Sequence, residues 1–137
     1  MENCIFCRIV NKEIPADNII YEDEYSVGLL DVNPIAPGHS LVISKVHAEN
    51  ILGLPDGKIG GVFTAVKRVS EMLGKSFQPD GFTYGVNDRI GQTIGHLHIL
   101  IIPRYKGDGG ASVHQVVSNP PKESLKEIKE KILKYGN

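Results

Sequence analysis

Histidine alternates with apolar residues at His96-Leu97-His98-Ile99, in a run that stays apolar through residue 102. On a β-strand, side chains two residues apart point to the same face of the sheet. A strand over 96–102 therefore places His96 and His98 side by side and turns Leu97 and Ile99 toward the opposite face, which we expect to be the core. The simplest alternative is a pair of polar side chains on a solvated strand face.

The remaining hydrophobic pattern predicts a single α+β domain that spans residues 1–137. Strands that are grouped between isolated helices are typical of this class, with a mostly antiparallel sheet. Glycines and a Pro-Pro pair predict a loop over 107–120. The predicted helices cover 4–13 (ended by Pro15), 57–77 and 122–135, and the predicted strands cover 19–22, 26–32, 40–44, 81–86 and 96–102.

The charge balance argues against a general nucleic-acid or membrane-surface binder. The 15 Lys and Arg residues are opposed by 16 Asp and Glu residues, which gives a formal net charge of −1. Bulk binding to phosphates needs a basic excess. No apolar run reaches the roughly 18 residues that cross a bilayer, and the first residues lack the pattern of a signal peptide. We therefore expect a cytoplasmic protein with a small-molecule partner, no nucleic acid and no membrane contact.

The histidines of the predicted strand are suited to attack on phosphorus, because imidazole is a good neutral nucleophile and also a good leaving group. Such a nucleophile needs donors that take up charge on the phosphate oxygens. Asn87, Gln92 and Thr93 lie near His98 in the sequence and could supply them, although each alone is more often a turn residue. Asp31 follows a largely apolar strand, where it could accept two ribose hydroxyls or cap a turn.

Cys4 and Cys7 are the only cysteines and lie three residues apart. Thiolate and neutral imidazole are the ligands that zinc favours, and His47 and His96 would complete a Cys₂His₂ site. The spacing is wider than in a zinc finger, so a redox pair or two unconnected thiols remain alternatives at this point. His39, just before a predicted strand, is by itself a lone histidine of no assigned role.

Several motifs in this order resemble the histidine-triad (HIT) family, whose signature is His-x-His-x-His followed by two apolar residues. The resemblance covers roughly residues 4–106 and is loose over 107–137. It rests on Gly91-Gln92-Thr93 and His96-Leu97-His98-Ile99-Leu100 through Pro103-Arg104, and upstream on Cys4-Ile5-Phe6-Cys7, Glu13-Ile14-Pro15-Ala16, Tyr21-Glu22-Asp23, Leu30-Asp31 and Pro37-Gly38-His39.

The resemblance implies a HIT fold with a five-stranded antiparallel sheet flanked by helices, a homodimer, and a purine nucleotide bound in a cleft on the sheet. Family members hydrolyse nucleoside phosphoramidates, aminoacyl adenylates or dinucleoside polyphosphates through a nucleotidyl-histidine intermediate. His98 corresponds to the nucleophile, with His96 beside it, and His39 corresponds to the histidine that supports the catalytic cluster.

Ligand contacts are implied in the same way. Asp31 corresponds to the residue that holds the ribose hydroxyls, and Asn87, Gln92 and Thr93 fall where relatives touch the phosphate or the scissile group. The apolar wall around the base corresponds to Ile5, Phe6, Ile9, Ile14, Leu29 and Val32. A structural zinc ion is implied on Cys4, Cys7, His47 and His96, which would tie the N-terminal helix to the catalytic strand.

Leu100 departs from the family, which carries its third histidine at this position. Leucine can neither donate a hydrogen bond nor carry a proton, and a lost donor to developing charge typically costs ~10²–10³ in rate. The chain is then a hydrolase that works slowly through His98, a nucleotide-binding module with little turnover, or a protein altered at this position. Beside the hydrolase and the nucleotide-binding module, a zinc-linked scaffold without nucleotide affinity is a third class of function. The hydrolase acting on an AMP-like purine nucleotide is the expectation that the remaining site residues favour.

Overall fold

The computed structural model describes residues 3–136, so the outermost ends of the predicted 1–137 domain lie outside the described residues. Its centre is a five-stranded sheet in the order β1-β2-β3-β5-β4, in which every neighbouring pair is antiparallel. This confirms the expected α+β architecture with a five-stranded antiparallel sheet. The strands are β1 (Ile19–Glu22), β2 (Ser26–Leu30), β3 (Ser40–Ser44), β4 (Gly81–Gly85) and β5 (His98–Arg104), and the helices are α1 (Ile5–Val10), α2 (Asp56–Phe77) and α3 (Leu125–Tyr135).

Strand β5 begins two residues later than predicted, because the chain at His96 is bonded elsewhere. The N–H of His96 donates to the carbonyl of Ile94 at 2.8 Å, and the N–H of Leu97 donates to the carbonyl of Ala48 at 2.7 Å. These bonds use the donors that a longer strand would give to its neighbour. At its other end, β5 runs on to Arg104, which pairs with the first residue of β4.

Helix α1 ends at Val10, earlier than the predicted stop before Pro15. Lys12 has a φ of 60°, in the left-handed region, and this conformation cannot continue a right-handed helix. The N–H of Glu13 folds back onto the carbonyl of Arg8 at 2.8 Å. Helix α3 likewise begins later than predicted, because Ser124 caps its first turn by accepting the N–H of Glu127 at 3.2 Å.

The two faces of the sheet bury two different apolar clusters. One cluster joins α2 to the sheet through Val42, Ala48, Leu54, Val62, Ala65, Val66, Val69, Leu73, Leu97, Ile99 and Ile101. The other lies beneath α1 and contains Phe6, Val27, Leu29, Leu41 and Ile43. The rings of His96 and His98 lie 5.7 and 5.4 Å from the ring of Phe6, centroid to centroid. The predicted alternation is thus confirmed: both imidazoles face α1, while Leu97 and Ile99 face α2.

Residues 3–136 contain no helix that is both long and apolar enough to cross a bilayer. The longest helix, α2, is amphipathic: its buried residues pack on the sheet, and Lys67, Arg68 and Glu71 are exposed on its other side.

We predict that Ile101→Ala lowers the free energy of unfolding by about 2–5 kcal/mol, because it opens a cavity where the side chain is fully buried between α2 and the sheet. Urea unfolding followed by circular dichroism measures the change. Ile90→Ala is the matched control, since Ile90 is 90% exposed and should shift the same quantity by no more than about 0.5 kcal/mol. Equal losses in the two variants would contradict this placement of the core.

Candidate metal centre and nucleotide site

Four side chains from three parts of the chain meet beside the start of β5: Cys4, Cys7, His47 and His96. Their ligand atoms all lie within 4.8 Å of one another. Sγ of Cys4 is 3.4 Å from Nδ1 of His96, and Sγ of Cys7 is 3.2 Å from Nδ1 of His47. The two Nδ1 atoms are 3.2 Å apart. The structure therefore brings together the four residues that the sequence assigns to zinc.

The spacing of these atoms fits a tetrahedral zinc ion. Zinc binds imidazole nitrogen at about 2.0–2.1 Å and thiolate sulfur at about 2.3 Å, so ligand atoms around the ion are about 3.3–3.8 Å apart. Four of the six separations within the cluster run from 3.2 to 3.6 Å, and all six are within 4.8 Å. Because the protein supplies all four ligands, no coordination position is left for water, and the centre is structural.

His96 is oriented for this role by its second ring nitrogen. Its Nε2–H donates to the carbonyl of Ser44 at 2.8 Å, which leaves the Nδ1 lone pair facing the two thiols. Burial lowers the pKa of His96, and this favours the neutral ligand form. Burial, together with the neighbouring Cys4, raises the pKa of Cys7 to about 11. A metal must therefore displace the proton of the Cys7 thiol when it binds.

His98 is buried at the first position of β5. Its Nδ1–H donates to the carbonyl of His96 at 2.7 Å, which fixes one neutral tautomer and leaves the Nε2 lone pair free to bond an electrophile. The ring also lies edge-on to Phe6 of α1. The imidazole is held in one orientation from two sides, which is what a nucleophile requires.

His98 lines a cavity of about 360 Å³ between α1, the sheet and the loop that precedes β1. Sites for small molecules usually have volumes of about 300–1,000 Å³. Most of the predicted nucleotide-binding residues line this cavity, namely Ile5, Phe6, Ile9, Ile14, Leu29, Asp31, Val32 and Thr93. The cavity therefore combines a largely apolar wall with the carboxylate of Asp31 and the imidazole of His98.

Asp31 and His39 lie side by side just beyond the ends of β2 and β3. Oδ1 of Asp31 accepts the N–H of Asn33 at 2.8 Å, and Oδ2 lies 3.5 Å from Nε2 of His39. Nδ1 of His39 accepts the N–H of Ile35 at 3.3 Å, so the ring proton sits on Nε2, facing Asp31. Within residues 3–136 that buried nitrogen has no hydrogen-bond partner. His39 thus adjoins the acidic edge of the cavity, and its support of His98 stays a prediction.

Gln92 and Asn87 are not among the residues that line the cavity. The side-chain amide of Gln92 donates to the carbonyls of Glu49 and Ile94 at 2.8 and 3.0 Å, and its Oε1 accepts the N–H of Arg89. This side chain braces the loop that leads into β5. Asn87 is exposed at the start of the same loop. Their contacts with phosphate stay predictions.

Part of the cavity wall was missed by the sequence analysis. Leu41 lines the cavity beside Leu29, with which it pairs between β2 and β3, so the alternation of two paired strands could have revealed it. The segment 15–18 is irregular and gives no periodic signal. The missed residues are Pro15, Ala16, Asp17, Asn18, Leu30, Asn33, Leu41 and Ile94.

Leu100 follows His98 on the same face of β5 and packs against the apolar cluster beneath α1. Its neighbours across the sheet are Leu41 on β3 and Gly85 on β4. A β-carbon placed on Gly85 would meet no described atom within 4 Å. The position of the missing third histidine is therefore apolar toward β3 and open toward β4.

We predict that Cys7→Ser removes most of the bound zinc, from one ion per chain toward none, because three ligands bind zinc far more weakly than four. Elemental mass spectrometry of the purified protein measures the ratio, and His114→Ser, which changes a histidine outside the cluster, should leave it unchanged. Because zinc must displace the proton of Cys7, zinc affinity should also fall as the pH is lowered. Full zinc content in Cys7→Ser would contradict this assignment.

Comparison with known proteins agrees with this geometry. The family model described as "HIT domain" matches residues 11–107. A HIT-like protein of Methanocaldococcus jannaschii is 43% identical over 129 residues, which cover 92% of this chain and 98% of that protein. The crystal structure of a HIT-family protein from Bacillus subtilis has a TM-score of 0.83 at 36% identity and covers 97% of this chain and 96% of that chain.

Relatives with a stated activity or ligand are also found. Adenosine 5′-monophosphoramidase of Candida albicans is 31% identical, with 95% of this chain and 89% of that protein covered. Adenylylsulfatase of Arabidopsis thaliana is 36% identical, with 77% of this chain and 54% of that protein covered. A zinc-bound histidine-triad protein from Mycobacterium smegmatis has a TM-score of 0.73 at 32% identity and covers 89% of this chain and 86% of that chain. With the family model matched over most of its length and the four zinc ligands in place, the chain belongs to the HIT family.

Proposed function

We propose that the chain is a nucleotidyl hydrolase that binds a purine nucleotide derivative and breaks the bond between its 5′-phosphorus and a leaving group. The observation that carries the proposal is the hydrogen bond from Nδ1 of His98 to the carbonyl of His96, which presents the opposite nitrogen as a nucleophile in a ligand-sized cavity. Two relatives, the monophosphoramidase and the adenylylsulfatase, are named for activities on adenylyl compounds.

Substrate binding follows from the lining of the cavity. The side chains of Ile5, Phe6 and Ile9 on α1 offer an apolar surface for a purine ring. Asp31 keeps its Oδ2 free of backbone donors, so this oxygen is available to the ribose hydroxyls. In this proposed pose the 5′-phosphate is directed toward His98, which lines the same cavity.

The reaction has two displacements at phosphorus. Nε2 of His98 forms a bond to the phosphorus while the leaving group departs with the electron pair of its own bond. The imidazole becomes positively charged, and the carbonyl of His96 stabilises this charge by accepting the Nδ1–H. A water oxygen then bonds to the phosphorus and releases one proton to the solvent. The P–N bond breaks with its electron pair returning to Nε2, and AMP leaves as neutral His98 is restored.

Leu100 favours a second candidate, a nucleotide-binding protein with little turnover. The family's third histidine is absent from the face that carries the nucleophile, and the replacing side chain packs among apolar residues. The two candidates differ in whether nucleotidyl-His98 forms and is hydrolysed. The cavity alone is sufficient for the second.

We also propose that the chain forms a homodimer through α2 and β4. Strand β4 is an edge strand, and a groove of about 540 Å³ lies between it and α2. Phe63 and Tyr84 in this groove are 49% and 46% exposed. An edge strand beside exposed aromatic rings is a common association surface. A second copy of the chain fits this surface, because in a two-fold symmetric pair the β4 edge of one copy contacts the β4 edge of the other. The exposed aromatic rings of the two copies then also contact each other.

A cytoplasmic location is part of the proposal. Cys4 and Cys7 are both free thiols held beside histidines, rather than a disulfide. Such thiols persist in a reducing compartment, where they stay available to a metal.

We predict that His98→Ala lowers AMP release by roughly 10³-fold or more, because the nucleophile is lost. The substrates are adenosine 5′-phosphosulfate and adenosine 5′-phosphoramidate, and chromatography measures the AMP. His114→Ala is the matched control, since His114 is exposed in a short 3₁₀ helix and is not among the residues that line the cavity, and it should keep the full rate. AMP binding by calorimetry without release from either substrate would favour the binding protein, and neither binding nor release would overturn both candidates.

We predict that Tyr84→Asp converts the dimer to a monomer, because it places a charge in the apolar surface between the two copies. Light scattering during gel filtration should give twice the 15.0 kDa of one chain for the unchanged protein and a single chain mass for the variant. Ile90→Asp adds the same charge to a loop residue outside the groove and should stay dimeric. An unchanged protein with the mass of one chain would contradict the proposed dimer.

A further inference from the structure

The chemistry of the leaving group decides which nucleotide derivatives the site accepts, and an inference about it rests on the proposed function. Leaving groups differ in their need for a proton. An alkylammonium ion holds its proton to a pH of about 10, whereas a carboxylic acid loses it near a pH of about 4. A carboxylate or sulfate can therefore depart as an anion, while an amine must be protonated as its bond to phosphorus breaks.

None of the five histidines of the chain is positioned to donate a proton to the leaving group. His98 uses Nδ1–H on the carbonyl of His96 and uses Nε2 for attack. Nε2–H of His39 faces Asp31, and Nδ1 accepts a backbone N–H. His47 and His96 belong to the metal centre, and His114 lies in an exposed turn of the tail.

Within residues 3–136, the apolar side chains packed against Leu100 supply no proton donor either. Leu100 lies two residues from the nucleophile along β5, on the same face, where it pairs with Leu41 of β3 and packs against the apolar cluster beneath α1. None of these side chains carries a proton that can be transferred. On the other side, Gly85 offers open space and no side chain. A leaving group that extends along β5 from His98 would therefore contact an apolar side chain, and no proton donor would assist its departure there.

We propose that Leu100 makes the site selective for leaving groups of low basicity. The chain then acts on mixed anhydrides that join a nucleoside 5′-phosphate to sulfate or to a carboxylic acid, and it is slow on nucleoside phosphoramidates. Leu100 is in this sense a specificity-determining residue, not only a lost catalytic contact.

The two substrate classes differ in the first displacement alone. With a phosphosulfate, the bond from Nε2 of His98 to phosphorus forms, the P–O bond to sulfate breaks, and sulfate takes the electron pair as a free anion. With a phosphoramidate, the bond that breaks joins phosphorus to the nitrogen of the leaving group. Its cleavage would expel an amide anion unless that nitrogen first receives a proton, which here must come from water. Both routes give the same nucleotidyl-His98, so the second step, its hydrolysis, is identical for the two substrates. The selectivity therefore appears in kcat/KM, which reports the first step.

The test compares kcat/KM for adenosine 5′-phosphosulfate and adenosine 5′-phosphoramidate in the unchanged protein and in Leu100→His. General acid assistance typically contributes ~10²–10⁴-fold, so Leu100→His should raise the phosphoramidate value by about 10²-fold and the phosphosulfate value by less than about threefold. Ile102→His is the matched control, because Ile102 lies on β5 on the same face but one step further from the nucleophile. It should leave the ratio of the two values unchanged.

The possible outcomes distinguish failure of the proposed function from failure of the proposed selectivity. Absence of AMP from both substrates in the unchanged protein overturns the proposed function. Release from both with a phosphoramidate preference, or a ratio that Leu100→His does not alter, overturns only the selectivity.

A second measurement needs no variant. The unchanged protein is given a series of adenosine 5′-aryl phosphates whose phenols differ in pKa. We expect kcat/KM to fall steeply as the pKa of the phenol rises, since no proton assists departure. A flat dependence would overturn the proposal even if Leu100→His failed to fold.

Discussion

The site depends on a single buried residue, His96, which bonds in three directions. Its Nε2–H holds the end of β3 at Ser44, its Nδ1 belongs to the metal centre, and its carbonyl accepts the Nδ1–H of His98. Because His96 is fully buried, water does not compete for any of these bonds. The metal centre and the imidazole of His98 are thus positioned by the same short segment.

Local periodicity accounts for the parts of the fold that were predicted from the sequence. The alternation along β5 placed both imidazoles on one face, and the helical spacing of apolar residues predicted helix α2, because each pattern is fixed by close neighbours along the chain. The exact boundaries depend on individual backbone bonds and backbone conformations. The late start of β5 follows from a bond between Leu97 and Ala48, and the early end of α1 follows from the left-handed Lys12. Neither has a signal in the residues concerned.

The same distinction applies to the site. The zinc ligands were predicted because few residue types bind zinc and the family order names them, and the structure brings them together. The role of the Gln92 amide was not visible, because one of its carbonyl partners, that of Glu49, lies 43 residues away. Leu41 enters the cavity only through its pairing with Leu29. Such contacts are set by how strands pair, and sequence spacing does not encode them.

Helix α1 has only six residues, and a helix of this length is not stable on its own in water. It nevertheless carries Ile5, Phe6 and Ile9, which form much of the apolar wall, while Cys4 at its start and Cys7 within it reach the metal centre. A zinc ion held by these cysteines therefore fixes the apolar wall of the cavity to the rest of the domain. Binding equilibria that share a structural element are reciprocal. If the cavity binds nucleotide as we propose, removal of zinc weakens that binding, and bound nucleotide raises the affinity for zinc by the same factor.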